Sequence, residues 1–114
     1  MEGPLTRAGI HERAATKLDE IEAELRRLGW WEIPEPPPEA FRFRQAFALD
    51  TMAFQQWLRF VFAPRVRELV AGEAEMPTSS MVAAQAAREL DGHPDAGRLF
   101  DLLIEFDQLF DRES

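Results

Sequence analysis

Cysteine is absent from this sequence of 114 residues, and other reactive groups are scarce. Without cysteine the chain can form no disulfide, no thiolate metal site and no thiol nucleophile. Serine occurs only at positions 79, 80 and 114, and none of these lies in a Gly-x-Ser-x-Gly turn. A glycine-rich phosphate loop is also missing. The usual patterns of nucleophilic and nucleotide-binding enzymes are therefore not found.

Metal-ligand patterns are incomplete. His11 and Glu12 begin like a zincin helix, but Ala15 stands where the second histidine is required. Acidic pairs four residues apart, such as Asp101 and Glu105, occur without the Glu-x-x-His pattern of di-iron bundles. We therefore expect no metal, no cofactor and no enzymatic activity.

Long hydrophobic runs are missing as well. The longest, residues 60–64, is much too short to span a bilayer, and the N-terminus lacks the apolar segment of a secretory signal. These features predict a cytoplasmic protein without a membrane partner. The net charge of −8 argues against binding to a nucleic-acid backbone, so no DNA partner is expected.

Charges of opposite sign are concentrated in different segments. Residues 42–67 contain five arginines and one aspartate, whereas residues 95–114 contain six acidic residues and two arginines. The simplest interpretation is that the two segments neutralise each other across the fold.

Large apolar side chains are abundant, since hydrophobic residues make up 46% of the chain and include nine phenylalanines and three tryptophans. This composition predicts one folded domain, residues 1–114, because burial of such side chains offsets the entropy lost on folding. Apolar residues at helical spacing predict an all-α fold, a four-helix, mostly antiparallel bundle. The expected helices cover approximately residues 6–28, 50–71, 79–91 and 94–111.

The second helix contains the densest apolar stretch of the chain. Asp50 or Thr51 is expected to cap its start with a side-chain oxygen. Its apolar surface extends over more than half the circumference, which predicts a central, buried element with Trp57 as a structural residue. Pro64 has no amide hydrogen and crowds the preceding turn, so we expect a kink there.

Residues 29–49 form an aromatic and proline-rich loop, which we call the strap, between the first two helices. Four prolines within residues 34–38 favour an extended, polyproline-like path. Trp30 and Trp31 are interpreted as anchors that cover the core, with a stacking platform for a base or peptide as the alternative. His93, in the joint before the last helix, is interpreted as a capping or loop residue, with metal binding or proton transfer as the alternative.

Arg65 would lie in the middle of the apolar surface if the second helix ran straight through Pro64. An unpaired buried guanidinium is costly, so either the kink rotates Arg65 outward or an acidic residue meets it, and two roles remain open. In one, Asp50 or another acid pairs with Arg65 and fixes the kink. In the other, Arg65 lines a partly open pocket and binds a ligand.

The motif Asp50-Thr-Met-x-Phe-Gln-Gln-Trp-Leu-x-x-Val-Phe-x-Pro-Arg65 resembles that of the YqcC-like family of small bacterial proteins of unknown function. The resemblance extends from Trp30 onward through most of the chain. It implies a small helical bundle and a gene that often neighbours that of tRNA pseudouridine synthase C. The sequence departs from the family pattern at three positions: Ala46, where proline is usual, Arg59, where glutamine is usual, and Ala63, where a large aliphatic residue is usual.

Two functional hypotheses follow. The first is a non-catalytic interaction protein that binds a protein partner, with tRNA or a tRNA-modifying enzyme as the expected context. The second is a small-ligand or RNA-binding module with a basic aromatic site near the kink. The candidate binding residues are Trp30, Trp31, Arg42, Arg44, Asp50, Gln56, Arg59, Arg65 and His93.

Overall fold

The structure is a computed structural model in which residues 7–72 and 80–110 are described. This part of the chain contains four helices and no strand, which confirms the predicted all-α fold. Helix α2 passes through three consecutive segments, the middle one π-helical. The bounds are α1 Arg7–Arg27, α2 Phe54–Trp57 with Leu58–Phe62 and Ala63–Ala71, α3 Val82–Glu89 and α4 Gly97–Gln108.

Helix α1 packs one apolar stripe against α2 and α4, and these contacts form the main core. Leu18, Ile21 and Leu25 are completely buried in it. Lys17 Nζ lies 2.6 Å from Glu105 Oε1, and Arg27 Nη2 donates to the carbonyl of Asp95 at 2.8 Å. Later residues of α1 thus contact earlier residues of α4, so the two helices are antiparallel.

Helix α3 begins beneath a carboxylate of α4. Asp107 accepts hydrogen bonds from the backbone amides of Val82 at 3.2 Å and Ala83 at 2.7 Å, and from Ser80 Oγ at 2.5 Å. A carboxylate at this position satisfies free amides and interacts favourably with the helix dipole.

The predicted start of the second helix at Asp50 or Thr51 is wrong. Helix α2 begins at Phe54, where the Ala53 amide donates to Gln56 Oε1 at 3.0 Å. Asp50 instead closes an earlier turn, because its carboxylate accepts from the Arg44 amide at 3.1 Å and faces the Gln45 amide at 3.4 Å.

Pro64 does not break the helix. The chain is π-helical over Leu58–Phe62, and the Ala63 amide donates to the Leu58 carbonyl five residues earlier. A π-turn contains one residue more than an α-turn, and such turns are a common way for a helix to accommodate a disruption. The helix thus continues through Pro64 after a π segment that ends two residues before it, and the kink at Pro64 stays a prediction.

The strap contains more regular structure than its prolines predict. Short 3-10 turns span Pro38–Phe41 and Ala46–Ala48, the first because proline is compatible with the opening turn of a helix. Phe47 and Ala48 have positive φ values of 60° and 55°, which is strained for residues other than glycine. The strap packs on α2 around a second apolar cluster of four buried residues, Ala40, Ala48, Met52 and Val61, which we call the strap cluster.

No helix within the described ranges has both the length and the apolar character that a membrane span needs.

Candidate functional site

Trp31 is covered by arginine side chains. The guanidinium carbons of Arg26 and Arg59 lie 4.3 Å and 3.8 Å from its ring centre, and Arg59 Nε donates to the Trp31 carbonyl at 2.7 Å. Both cations are within the range of a cation–π interaction. This arrangement joins the strap to α1 and α2, and it uses ring surface that a stacking platform would need.

Trp30 makes different contacts from Trp31. Its ring packs on the main core and meets His93 edge-on, with ring centres 5.4 Å apart. The His93 side chain is exposed. The backbone of His93 closes a turn on each side, because its amide donates to the Leu90 carbonyl and its carbonyl accepts from the Ala96 amide, both at 3.0 Å. The structure thus gives both side chains contacts at the joint between α3 and α4.

Four further candidates lie in the strap or at its contact with α2. Arg42 and Arg44 are exposed. The hydrogen bond from the Arg44 amide lowers the pKa of Asp50 below its ordinary value. The side-chain amide of Gln56 makes two hydrogen bonds: Oε1 accepts from the Ala53 amide, and Nε2 donates to the Pro34 carbonyl, both at 3.0 Å. Asp50 and Gln56 therefore hold the local backbone.

A half-open apolar cavity of about 140 Å³ lies between α2 and α4, beside the start of α3. We call it the Trp57–Arg65 groove. Its polar lining residues are Arg65 and Ser80, and the hydroxyl of Ser80 is already bonded to Asp107. The apolar lining residues are Trp57, Val61, Phe62, Val66, Leu69, Val82, Phe106 and Phe110.

Trp57 forms the junction between this groove and the rest of the molecule. Its ring lies 5.0 Å from that of Phe47, 5.8 Å from that of Phe54 and 5.5 Å from that of Phe62. It packs against both the main core and the strap cluster. A side chain held by three neighbouring rings forms a fixed wall for the groove.

Arg65 is exposed at the groove, whereas the next residue, Val66, is 6% exposed. In the part of the chain that the structure describes, its guanidinium has no hydrogen bond, ion pair or ring contact. Of the arrangements left open for Arg65, the ion pair with Asp50 is not formed, because Asp50 bonds to the Arg44 and Gln45 amides. Arg65 instead lines the partly open groove. The extra residue of the π-turn explains the exposure, because it rotates all later residues backward by about one residue step of 100°.

The predicted basic aromatic site is not assembled in one place. Arg59 accompanies Trp31, and Arg65 shares its groove with Trp57 rather than with Trp30 and Trp31. Sequence reasoning missed three contributors, Arg26, Leu69 and Phe106, which come from different helices and share no local motif. His11, which begins the incomplete zincin pattern, is 5% exposed on α1 and lies outside the groove.

These features define a small all-α protein with a strap of aromatic residues and an apolar groove beside an exposed arginine. A family model described as tRNA pseudouridine synthase C (DUF446) matches residues 13–109. The chain belongs to this family, and the predicted YqcC-like resemblance is confirmed.

Two comparisons concern the same relative, uncharacterized protein YqcC of Escherichia coli strain K12. The sequences are 33% identical over 101 residues, which cover 88% of this chain and 93% of YqcC. The solution NMR structure of E. coli YqcC superposes with a TM-score of 0.79 at 31% identity, covering 92% of this chain and 91% of that one. The fold described above is thus shared with an experimental structure.

A third match is to part of a longer protein. Over 62 residues the chain is 40% identical to tRNA pseudouridine synthase C of Pectobacterium carotovorum subsp. carotovorum. The match covers 54% of this chain but 16% of that protein. Most of the longer protein therefore lies outside the similarity.

Proposed function

We propose that this protein is a non-catalytic, cytoplasmic accessory protein of tRNA modification, which binds a tRNA pseudouridine synthase through the surface formed by the strap and α2. The observation that supports it is the 62-residue match inside a protein named tRNA pseudouridine synthase C. A segment found both as a separate chain and within a longer one suggests that the two parts act together. The match covers a minor share of that protein, so the catalytic part is assigned to the remainder.

The strap and α2 suit a partner of opposite charge. Residues 42–67 carry a local charge of +4 in a chain whose net charge is −8. Arg67 is engaged by Asp19 and Glu22 of α1, at 3.1 Å and 3.0 Å. Arg42, Arg44 and Arg65 are exposed, and none of them forms an ion pair with another described residue. Charge complementarity of this kind raises association rates and selects partners.

The second candidate is binding of RNA or a small ligand. The stacked guanidiniums on Trp31 weaken the RNA version, because they use the ring surface that a base would need. The groove beside Arg65 supports the small-ligand version, since an apolar cavity with one polar group is the usual form of such sites.

The test uses two purified proteins, this chain and tRNA pseudouridine synthase C from the same bacterium. Isothermal titration calorimetry at low and moderate salt is expected to show a complex that weakens as salt rises. Arg65→Glu is expected to weaken the complex, whereas Arg98→Glu, an exposed arginine on α4 that does not line the groove, is the matched control.

Absence of heat and of a shared gel-filtration peak, with both proteins folded, would contradict the proposal. Binding of tRNA by this chain alone, with an affinity that falls steeply with salt, would favour the second candidate instead. Pseudouridine formation by this chain without the synthase would contradict the non-catalytic assignment.

A further inference from the structure

The size of the Trp57–Arg65 groove limits what it accepts. Its volume is about 140 Å³, and an engineered protein cavity of roughly 150 Å³ binds a benzene molecule. One aromatic ring or one leucine-sized group therefore fills it. The walls are aromatic and aliphatic, so a polar group at the base would be left without hydrogen bonds.

The polar chemistry of the groove is concentrated in one cation. The Ser80 hydroxyl is occupied by Asp107, whereas the guanidinium of Arg65 has no hydrogen bond or ion pair to any other described residue. A guanidinium presents a planar set of donors that matches a carboxylate. The complementary group is thus an apolar side chain with a carboxylate close to it.

A free molecule of this size has too few atoms to bind tightly by itself. Protein interfaces, in contrast, commonly place one large side chain in a central pocket, and tryptophan and arginine are enriched around such anchors. Trp57 and Arg65 line the groove in this way. These properties favour a side chain of a protein partner over a free metabolite.

We propose that the Trp57–Arg65 groove holds one leucine- or phenylalanine-sized side chain of a partner protein, and that an adjacent aspartate or glutamate of the same segment pairs with Arg65. This inference rests on the proposed function for the existence of a protein partner. It adds the chemical nature of the partner side chains that bind in the groove, and it identifies Arg65 as the residue that recognises their charge.

The test compares two neutral-ended dipeptides, acetyl-Phe-Asp-amide and acetyl-Phe-Asn-amide, which differ in one charge. Titration is followed by NMR at the indole N–H of Trp57 in low salt. Both peptides are expected to shift this signal with affinities of about millimolar, as their size implies. The aspartate peptide should bind roughly two- to fivefold more tightly, the range of an exposed ion pair.

Variants at Arg65 separate charge from fold. Arg65→Ala is expected to abolish the preference for aspartate, Arg65→Lys to retain part of it, and Arg98→Ala to leave it unchanged. Equal binding of both peptides to the wild-type protein would overturn the proposal, as would the absence of any shift at Trp57. A Trp57 signal that moves with protein concentration alone would assign the groove to a second copy of the chain and overturn it too.

The peptide titration tests the groove proposal and the synthase titration tests the proposed function, so one proposal can be contradicted while the other is supported. If Arg65→Glu binds the synthase as well as wild type does, and neither peptide shifts Trp57, the groove proposal falls while the proposed function stands. If the aspartate peptide binds as expected and the synthase does not, the groove retains its specificity and the assigned partner is wrong.

Discussion

The main core and the strap cluster are stabilised in different ways. In the main core, long stripes on α1, α2 and α4 bury side chains completely, among them Leu18, Leu58 and Leu102. The strap cluster contains two alanines, one methionine and one valine as buried residues, and hydrogen bonds to the backbone supplement it. One of these is the 2.6 Å bond from Thr51 Oγ1 to the Ala40 carbonyl. The comparison shows that periodic burial explains the bundle, whereas individual polar contacts position the strap.

The largest expected effect is at Trp57, which belongs to both regions. Trp57→Ala removes three ring contacts and opens a cavity between the main core and the strap cluster. We expect the free energy of unfolding to fall by about 3–5 kcal/mol. Urea denaturation followed by circular dichroism measures it. A loss below about 1 kcal/mol, the range of ordinary surface changes, would show that the two regions do not depend on this ring.

The next effect is at Asp107, which caps α3 from within the bundle. Asp107→Ala removes the acceptor of two backbone amides and of the Ser80 hydroxyl. The expected loss of stability is about 1–2 kcal/mol, the usual cost of removing a helix cap. Thermal unfolding compares it with Asp101→Ala, an exposed aspartate on the same helix. Equal losses for the two variants would contradict the capping role.

A smaller effect is expected at Gln56, which connects the strap to α2. Gln56→Ala removes the bond from the Ala53 amide and the bond to the Pro34 carbonyl. A loss of about 1 kcal/mol is expected from these bonds. Gln55→Ala is the matched control, since no side-chain hydrogen bond of Gln55 is found within the described residues. Hydrogen exchange should increase in the strap and remain unchanged in α1; faster exchange throughout would show that the strap is not a separate unit.

The smallest effect concerns pH, and it compares Glu105 of the bundle with Asp50 of the strap. The hydrogen bond from Lys17 lowers the pKa of Glu105 below 4.5, and the Arg44 amide lowers the pKa of Asp50 below 3.8. Each carboxylate thus contributes stability that is complete above its ordinary pKa and is lost as the pH falls through the lowered value. Carbon-13 NMR titration measures both.

Added salt distinguishes the causes of the two shifts. It should raise the pKa of Glu105 more than that of Asp50, because a partly exposed ion pair is screened by salt whereas amide hydrogen bonds are affected less. The same ion pair raises the pKa of Lys17 above 10.5, so its contribution is lost as the pH rises through that higher value. A pKa of Glu105 at or above 4.5 would contradict the ion pair.

The helices of the bundle could be predicted from the sequence because their apolar residues recur every three or four positions. Ile10, Ala14 and Leu18 are spaced in this way, and all three are buried. His11 lies three residues before Ala14, and that spacing predicts its burial too. Periodicity in the sequence identifies the buried face of a helix, and this identification does not require knowing which element packs against that face.

The candidate site was less accessible to sequence reasoning because it depends on contacts between distant residues. The Asp107 cap joins positions about 25 residues apart. Arg26 and Arg59 meet at Trp31 from two helices. The positive φ values of Phe47 and Ala48 contradict local preference and are maintained by their surroundings. Such features follow from the assembled fold rather than from any short motif.

The π segment has a consequence for the spacing of the buried residues in α2. Phe54, Leu58, Phe62 and Val66 are four residues apart and all lie in the main core. In a regular α-helix each step of four residues advances the face by about 40°, so the last would be displaced by roughly 120°. The wider turn reverses much of this drift. Deleting one residue from Leu58–Phe62 would therefore remove the π segment and give a regular α-helix whose second half still faces the same neighbours.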